Sequence, residues 1–545
     1  MFKSKKLLFL IPAAALAFIS ATYIVQSDKE EAIDQILMQS LNSVHYSPME
    51  VNNDFSKKVF KLYMERLDYN KKFLIQSDVD ELKKMEEQID EDINKGSFTF
   101  FDKSFDIINK RVEEAKVYYT DILAKPFDFT NDENLQLDAE KTAYAKDKNG
   151  LKEEWRKSLK YQTLARMVEM MDNQEKAKEK SDTVKLKSRT ELEADARKKI
   201  LKSNDDYFKR LKEFDRNDRI AIYFNSIAGV YDPHTEFFAP KDKANFDIGM
   251  SGQLEGIGAQ LQEKDGYIKV SNIVPGSASY KQGQLKAGDL ILKVAQGAGE
   301  PVDVVDMRMD DAVLLIRGKK GTEVRLTVKK PDGNIIVIPI IRDIVVLEDS
   351  YAQSVIIKGK KNIGYIKLPS FYADFSGKGG RSCAKDIKKE LEKLKAEHVD
   401  GIILDLRYNG GGSLPDVVDM AGLFIDKGPV CQVKQKAALA QVLEDRDAGV
   451  VYDGPLTVMV NSNSASASEI MAAAIQDYHR GVIVGTSPSS FGKGTVQRFF
   501  NLDDYLPPAY ANLKPLGEVK ITTQKFYRIN GGATQLKGVV PDIVL

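Results

Sequence analysis

The apolar residues of this chain change their repeat twice, near Gly252 and again after Tyr351, and no single layer of structure accommodates both changes. From about residue 28 to residue 245 the pattern is helical. Phe55, Val59, Tyr63 and Leu67 recur every four residues as an amphipathic stripe. Ser77 with Asp80 reads as a capping box that opens a further helix, with Val79, Leu82 and Ile89 on one face. The almost wholly polar run from Gln174 to Arg189 reads as a solvated linker or exposed helix. From Gly252 to about Asp343 short β-rich runs alternate with Gly and Pro: Tyr267–Val270, Asp289–Val294 and Val324–Val328. One helix, Met309–Ile316, interrupts them, which predicts a small, partly open barrel or sandwich. Beyond Tyr351 strands and helices alternate: a strand Ile363–Leu368, a helix Ala384–Glu397 and strands Gly401–Leu406 and Leu456–Val460. A helix through Ala472–Ala474 follows, and Val482–Val484 closes the series. Such alternation predicts an α/β domain whose active groups sit where strands give way to helix N-termini.

A chain of 545 residues exceeds one hydrophobic core and predicts three or four domains. Eighty basic side chains balance 80 acidic ones, so nothing in the charge favours nucleic acid or an anionic surface as partner. The first 26 residues stand apart. Lys3, Lys5 and Lys6 precede an apolar run, Leu7–Ile19, and then Ser20-Ala21-Thr22. This is the order of a secretory signal, and Tyr23-Ile24-Val25 extends it enough to serve as an uncleaved membrane anchor. Either reading places the remaining chain outside the cytoplasm. Two cysteines, Cys383 and Cys431, suit a disulfide or two buried thiols. With only four histidines and no HExxH or CxxC spacing, neither a metal nor another cofactor is expected.

Three segments carry chemistry. Ser464-Ala465-Ser466-Ala467-Ser468-Glu469-Ile470 joins a strand to a helix, where a serine hydroxyl lies beside free backbone N–H groups. Serine at such a position also serves as a plain helix cap. Phe491-Gly492-Lys493-Gly494 holds a lysine between glycines, placed to enter a tight cleft. The stretch from Gly485 to Gly492 is too long for a phosphate loop, and Gly494 stands where that loop needs Ser or Thr, which excludes nucleotide binding. Asp405-Leu406-Arg407-Tyr408-Asn409-Gly410-Gly411-Gly412 ends a strand in three glycines, suited to an oxyanion hole or to an ordinary turn.

Together these segments resemble the carboxy-terminal processing, or tail-specific, proteases, along nearly the whole chain. The resemblance rests on Asp232-Pro233-His234-Thr235, Leu254-Glu255-Gly256-Ile257-Gly258-Ala259, the LDLR-x-NGGG run, SASASEI, FGKGTVQ and Lys537-Gly538-Val539-Val540-Pro541-Asp542-Ile543, in that order. It implies a multidomain α+β protein. A signal peptide or anchor (1–26) would precede a helical domain (27–248), a PDZ domain (249–345) and a crotonase-like α/β serine protease core (346–545). It implies Ser466 as nucleophile, Lys493 as general base and Gln497 as the residue orienting it. The oxyanion hole would use the amides of Ala467 and of Gly411 or Gly412, with Asp477 as structural support. Scarce histidine fits a Ser–Lys pair. A lysine amine of ordinary pKa, about 10.4, must be brought to roughly 7–8 to act as base, which burial between Gly492 and Gly494 could do. Two features depart from the family pattern. Thr486–Ser490 is about two residues longer than expected, which leaves the meeting of Ser466 with Lys493 open, and long members carry a further helical segment where this sequence ends, as expected of a shortened or truncated form.

Gly256-Ile257-Gly258-Ala259, with Leu254 before it, resembles a PDZ carboxylate loop, and the Met309–Ile316 helix would form the other wall of its groove. Asn272–Ala278 and Leu285–Asp289 are PDZ-like as well. The expected activity is endopeptidase cleavage of exported proteins with apolar C-terminal tails, in the periplasm or on the outer face of the membrane. Partners are protein or peptide substrates, with no nucleic acid, membrane contact only through an uncleaved N-terminus, and an oligomer or adaptor open. The alternatives are an inactive peptide-binding scaffold on the same fold and a small-ligand carrier.

Overall fold

The computed structural model describes residues 29–181, 183, 185–374 and 380–545, so the signal or anchor segment lies outside the described residues. Among the described residues no helix is long and apolar enough to cross a membrane. The chain forms two compact units. One holds the residues up to Pro240 together with Gln497–Thr522, and the other Lys241–Val496 with Thr523–Leu545.

The first unit is helical, from Lys29–Val44 to Arg216–Tyr231. Phe55, Val59, Tyr63 and Leu67 are all buried on the helix Asn53–Leu67, as their spacing predicts. Asn52 opens that helix by accepting from the amides of Asp54 and Phe55 at 3.1 Å. The expected Ser77–Asp80 box does not form. The helix is Gln76–Lys83, and the Ile75 amide instead donates to Asp78 Oδ2 at 3.0 Å. Asp78 wins because Arg111 also pins its carboxylate from Nε and Nη2, at 2.7 and 2.8 Å. Toward the polar run at Gln174 the helix Lys148–Lys180 continues, and a capping box at Ser188 and Glu191 starts the helix Arg189–Glu213. In the family motif at Asp232, the carboxylate accepts from His45 Nε2 (2.8 Å), Thr235 Oγ1 (2.6 Å) and the His234 amide (2.7 Å), tying the first helix to the end of the last.

The second unit begins with the β-rich part. Strands Ala259–Lys264, Tyr267–Ile273, Leu290–Gln296, Glu323–Lys329 and Ile335–Ile341 lie side by side, all antiparallel. Ile268, Val270, Ile291, Val294, Leu326 and Ile338 fill its core, with Ala312 and Ile316 from the helix Met309–Ile316. A ribbon of Gln253–Gly256 against Asp343–Val346 joins the entry and exit of this part.

The α/β part is built on a sheet in the order Gln353–Ile357, Ile363–Lys367, Gly401–Asp405, Leu456–Val460, Val482–Gly485 and Ile543–Val544. Only the first pair is antiparallel. Val482–Gly485 therefore does not close the sheet. The two-residue strand Ile543–Val544 adds to it, too short to leave a period in the sequence. Leu404, Val458 and Ile483 lie in register and are fully buried on one face of this sheet, while Ile403, Thr457, Met459 and Val484 on the other face are only half-buried. Three adjacent strands of this sheet, ending at Asp405, Val460 and Gly485, point the same way. Their C-terminal ends release the triple-glycine, SASAS and FGKG segments side by side, so parallel pairing gathers residues that are far apart in sequence.

Candidate active site

The three serines of SASAS have different surroundings. Ser464 is buried; its hydroxyl donates to Leu406 O at 2.8 Å and accepts from the Asn461 amide at 2.9 Å. Ser468 is buried too, and donates to Asn409 O at 2.8 Å. Both flanking hydroxyls therefore stitch this turn to the LDLRYNGGG loop. Ser466 between them is half-buried, at the head of the helix Ala467–Asp477, with φ 57° and ψ −113°. A non-glycine residue held there is strained, and such strain gathers at functional turns.

The glycines allow a close approach. A Cβ on Gly411 would lie 2.8 Å from Ser466 Cβ and 3.1 Å from the Ala467 nitrogen. One on Gly412 would lie 2.2 Å from Phe371 O. The Gly411 amide donates to Asn409 Oδ1 at 2.9 Å, while no acceptor among the described residues faces the amides of Gly412 or Ala467. Asn409 is itself buried and anchored through Nδ2 to Leu368 O at 2.9 Å.

Glu469 joins the serine turn to the lysine loop. It is wholly buried, and its Oε2 accepts from the amides of Ser466 (2.8 Å) and Lys493 (2.9 Å). Its Oε1 accepts from Ser490 Oγ and the Gly492 amide, both at 2.7 Å. Burial pushes this carboxyl above its ordinary pKa, against the pull of the four donors. The backbones of Ser466 and Lys493 are thus no farther apart than two hydrogen bonds end to end. The long Thr486–Ser490 loop does not keep them apart, because Ser490 already bonds to Glu469. The motifs alone give Glu469 no role, yet the sequence carries a signal: Ser466 followed three residues later by Glu is a capping-box pattern.

Lys493 is half-buried, and its carbonyl accepts from Thr534 Oγ1 at 2.8 Å. The glycines beside it admit the close approach of the Gln535–Leu536 segment. A Cβ on Gly492 would meet the Leu536 backbone at 3.2 Å, and one on Gly494 the Gln535 nitrogen at 3.0 Å. Gln497 lies on the strand Thr495–Asn501, its Nε2 donating to Thr522 Oγ1 at 3.0 Å. Asp477 ends the helix Ala467–Asp477 and binds Arg528 at 2.6 and 3.0 Å, a structural ion pair. Cys383 and Cys431 are free, buried thiols, and burial pushes Cys431 up to about 12.

In the β-rich part, Leu254 pairs with Val345 on the ribbon and lines a cavity with Ile248, Leu314 and Arg317. Ile257 points into the core, and its carbonyl accepts from the Ser279 amide at 2.8 Å. Gly258, at φ 74°, lies so close to Ser277 that a Cβ would fall 2.1 Å from the serine Cβ. Gly256 is buried at the end of the ribbon, and Ala259 starts the edge strand.

A serine on a strained strand-to-helix turn, packed against a triple-glycine loop and clamped to a lysine loop, is the arrangement of a serine-type peptidase. Comparison with known proteins agrees. Family models match for the tail specific protease N-terminal domain (residues 37–241), a PDZ domain (246–329) and peptidase family S41 (362–545). A tail-specific protease of Haemophilus influenzae is 38% identical over 92% of this chain and 68% of its own length. The carboxy-terminal processing protease CtpA of Bacillus subtilis is 34% identical over 58% of this chain and 61% of its own. A solved photosystem II D1 C-terminal processing protease is 24% identical, with a TM-score of 0.34 over 61% of this chain and 82% of that one. The chain belongs to the tail-specific, or carboxy-terminal processing, family of serine proteases that carry a PDZ domain.

Proposed function

We propose that this protein is an extracytoplasmic endopeptidase that captures substrates by an apolar C-terminal tail and cleaves them with Ser466 and Lys493. The observation that carries the reading is the single oxygen of Glu469 shared by the amides of those two residues. With its amine neutral, Lys493 takes the Ser466 proton as Oγ attacks the scissile carbonyl. The oxyanion forms against the amides of Ala467 and Gly412, while Gly411 contributes close approach, its own amide being engaged by Asn409. Lys493 returns the proton to the leaving amine, and water, activated by the same amine, frees the acyl group. Gln497 is assigned on sequence grounds alone. In the PDZ domain, the segment from Leu254 through Gly256, Ile257, Gly258 and Ala259 takes the tail carboxylate while the substrate adds a strand at the Ala259–Lys264 edge. The export-type N-terminus supports the location outside the cytoplasm.

The test is mass spectrometry of products from one substrate with a free apolar tail or an amidated one. Cleavage should vanish in folded Ser466→Ala and Lys493→Arg, since guanidinium stays protonated. Amidation should lower kcat/KM by about one to two orders of magnitude. Near-wild-type cleavage by either variant would exclude the dyad, and equal rates on both tails would exclude tail capture.

A further inference from the structure

Large hydrophobic side chains stand in solvent around the Ser466 turn, two of them on backbone that disfavours them. Tyr408 is 74% exposed at φ 63°, and Leu536 is 92% exposed at φ 60°. Phe491, 56% exposed, stands between their loops in the chain of contacts. Left-handed backbone suits glycine and asparagine, and a tyrosine or leucine gives up backbone energy to occupy it. Neither residue recovers that cost through burial. A lone exposed apolar residue is ordinary, but strain and exposure together, repeated around one site, are not.

Short backbone hydrogen bonds link all three to the candidate nucleophile. Asn409, next to Tyr408, accepts from the Ala465 amide at 3.0 Å. The Phe491 amide donates to Ser464 O at 3.0 Å, and the Leu536 amide to Gly492 O at 2.8 Å. The loops that present these side chains are therefore the loops that build the site.

We propose that Tyr408 and Leu536 are specificity-determining residues that grip apolar side chains of the substrate on either side of the scissile bond, with Phe491 completing the rim. The occupant is the substrate itself, an extended polypeptide segment rich in apolar residues of the kind an unfolded protein exposes. Continuity with Ser466 selects it, because the loops that carry these three side chains are hydrogen-bonded to the turn that holds that hydroxyl or to the lysine loop clamped to it. The inference rests on Ser466 being the nucleophile.

The test compares two peptides with the same free apolar tail, one flanking the cleavage site with Leu and Phe, the other with Gly and Ser, using the full chain. Wild type should prefer the apolar flank by roughly tenfold or more in kcat/KM. In Tyr408→Asn with Leu536→Asn that preference should collapse toward one, mainly through KM, while Tyr408→Phe keeps it. Asparagine suits the left-handed backbone, so melting temperatures should hold or rise. An unchanged preference in the asparagine variant, no preference in wild type, equal losses on both peptides, or a lowered melting temperature each overturns the proposal. If Ser466→Ala cleaves both peptides at the wild-type rate, the nucleophile assignment fails first, and the rim falls with it.

Discussion

Asp34 in the helical unit and Glu469 in the α/β part are both carboxyl groups withdrawn from water, and their surroundings are opposite. Glu469 has four hydrogen-bond donors, two on each oxygen. Among the described residues Asp34 has none on either oxygen, and the charges of Asp92 and Glu31 add to its burial in raising its pKa. A carboxylate ringed by donors acts as a clamp, since each donor fixes one more piece of backbone. A carboxyl group without donors holds nothing, and burial keeps it protonated. The contrast separates acids that organise a site from acids that the fold merely tolerates.

The sharpest way to break the contrast is Glu469→Gln. The amide offers one accepting oxygen where the carboxylate has two, so its NH2 must face two existing donors, of which only the Ser490 hydroxyl can turn to accept. Whichever way it turns, it disrupts either the Ser466 and Lys493 pair or the Ser490 and Gly492 pair. Misplacing a nucleophile by about 1 Å costs on the order of a hundredfold. We expect kcat to fall by at least about that factor, with a reduced rate of Ser466 labelling by a fluorophosphonate probe. Activity within twofold of wild type would mean that the clamp is not needed.

How far the sequence discloses this site differs from residue to residue. Ser466 and Lys493 are legible because glycines and small residues around them make long, ordered motifs. Glu469 lies inside one of those motifs yet carries no sign of its burial, because a capping-box glutamate ordinarily faces solvent and only the fold buries it. That the Gly411 amide is engaged could not be read either, since it depends on one side-chain bond from Asn409. In the fold, helices and parallel strands were legible from their periods. The last strand, Ile543–Val544, was not, because two residues carry no period. The box expected at Ser77 failed because Arg111, 33 positions beyond Asp78, selected Asp78 as the capping acid. Local patterns show what a segment can do, and distant partners decide among the options.

Asp232 lies between the two extremes and sharpens the comparison. Burial alone would raise its pKa, but the bonds from His45, Thr235 and the His234 amide outweigh it and hold the carboxyl well below its usual range. A depressed folded pKa gives stability that is present above the unfolded value, near 3.9, and is lost as pH falls through the folded value. Asp232→Asn should therefore cost about 2 kcal/mol at pH 7, as expected for charged hydrogen bonds, and much less in strong acid. Urea melts across this pH range measure it, and a cost that does not shrink with acid would deny the carboxylate its role.

Asp34 should give the smallest effect on activity, and an effect on stability of the opposite sign. Its folded pKa is raised well above the ordinary value, first by burial and then by Asp92 and Glu31. The stability it permits is complete below the unfolded pKa and declines as pH rises toward the folded one, because the unfolded chain releases this proton first. That decline is about 1.4 kcal/mol for each pH unit between the two values. Asparagine has nearly the same shape and no proton to lose. Asp34→Asn should match wild type within about 0.5 kcal/mol near pH 4. By pH 8 it should be the more stable of the two, by about 1.4 kcal/mol for each unit by which burial raises the Asp34 pKa. Activity should not change, since the carboxyl lies in the helical unit and holds no loop of the site. Parallel stability curves for the two proteins from pH 4 to pH 8 would show that Asp34 reaches water or a donor as it ionises. The difference between the two buried acids would then be one of degree.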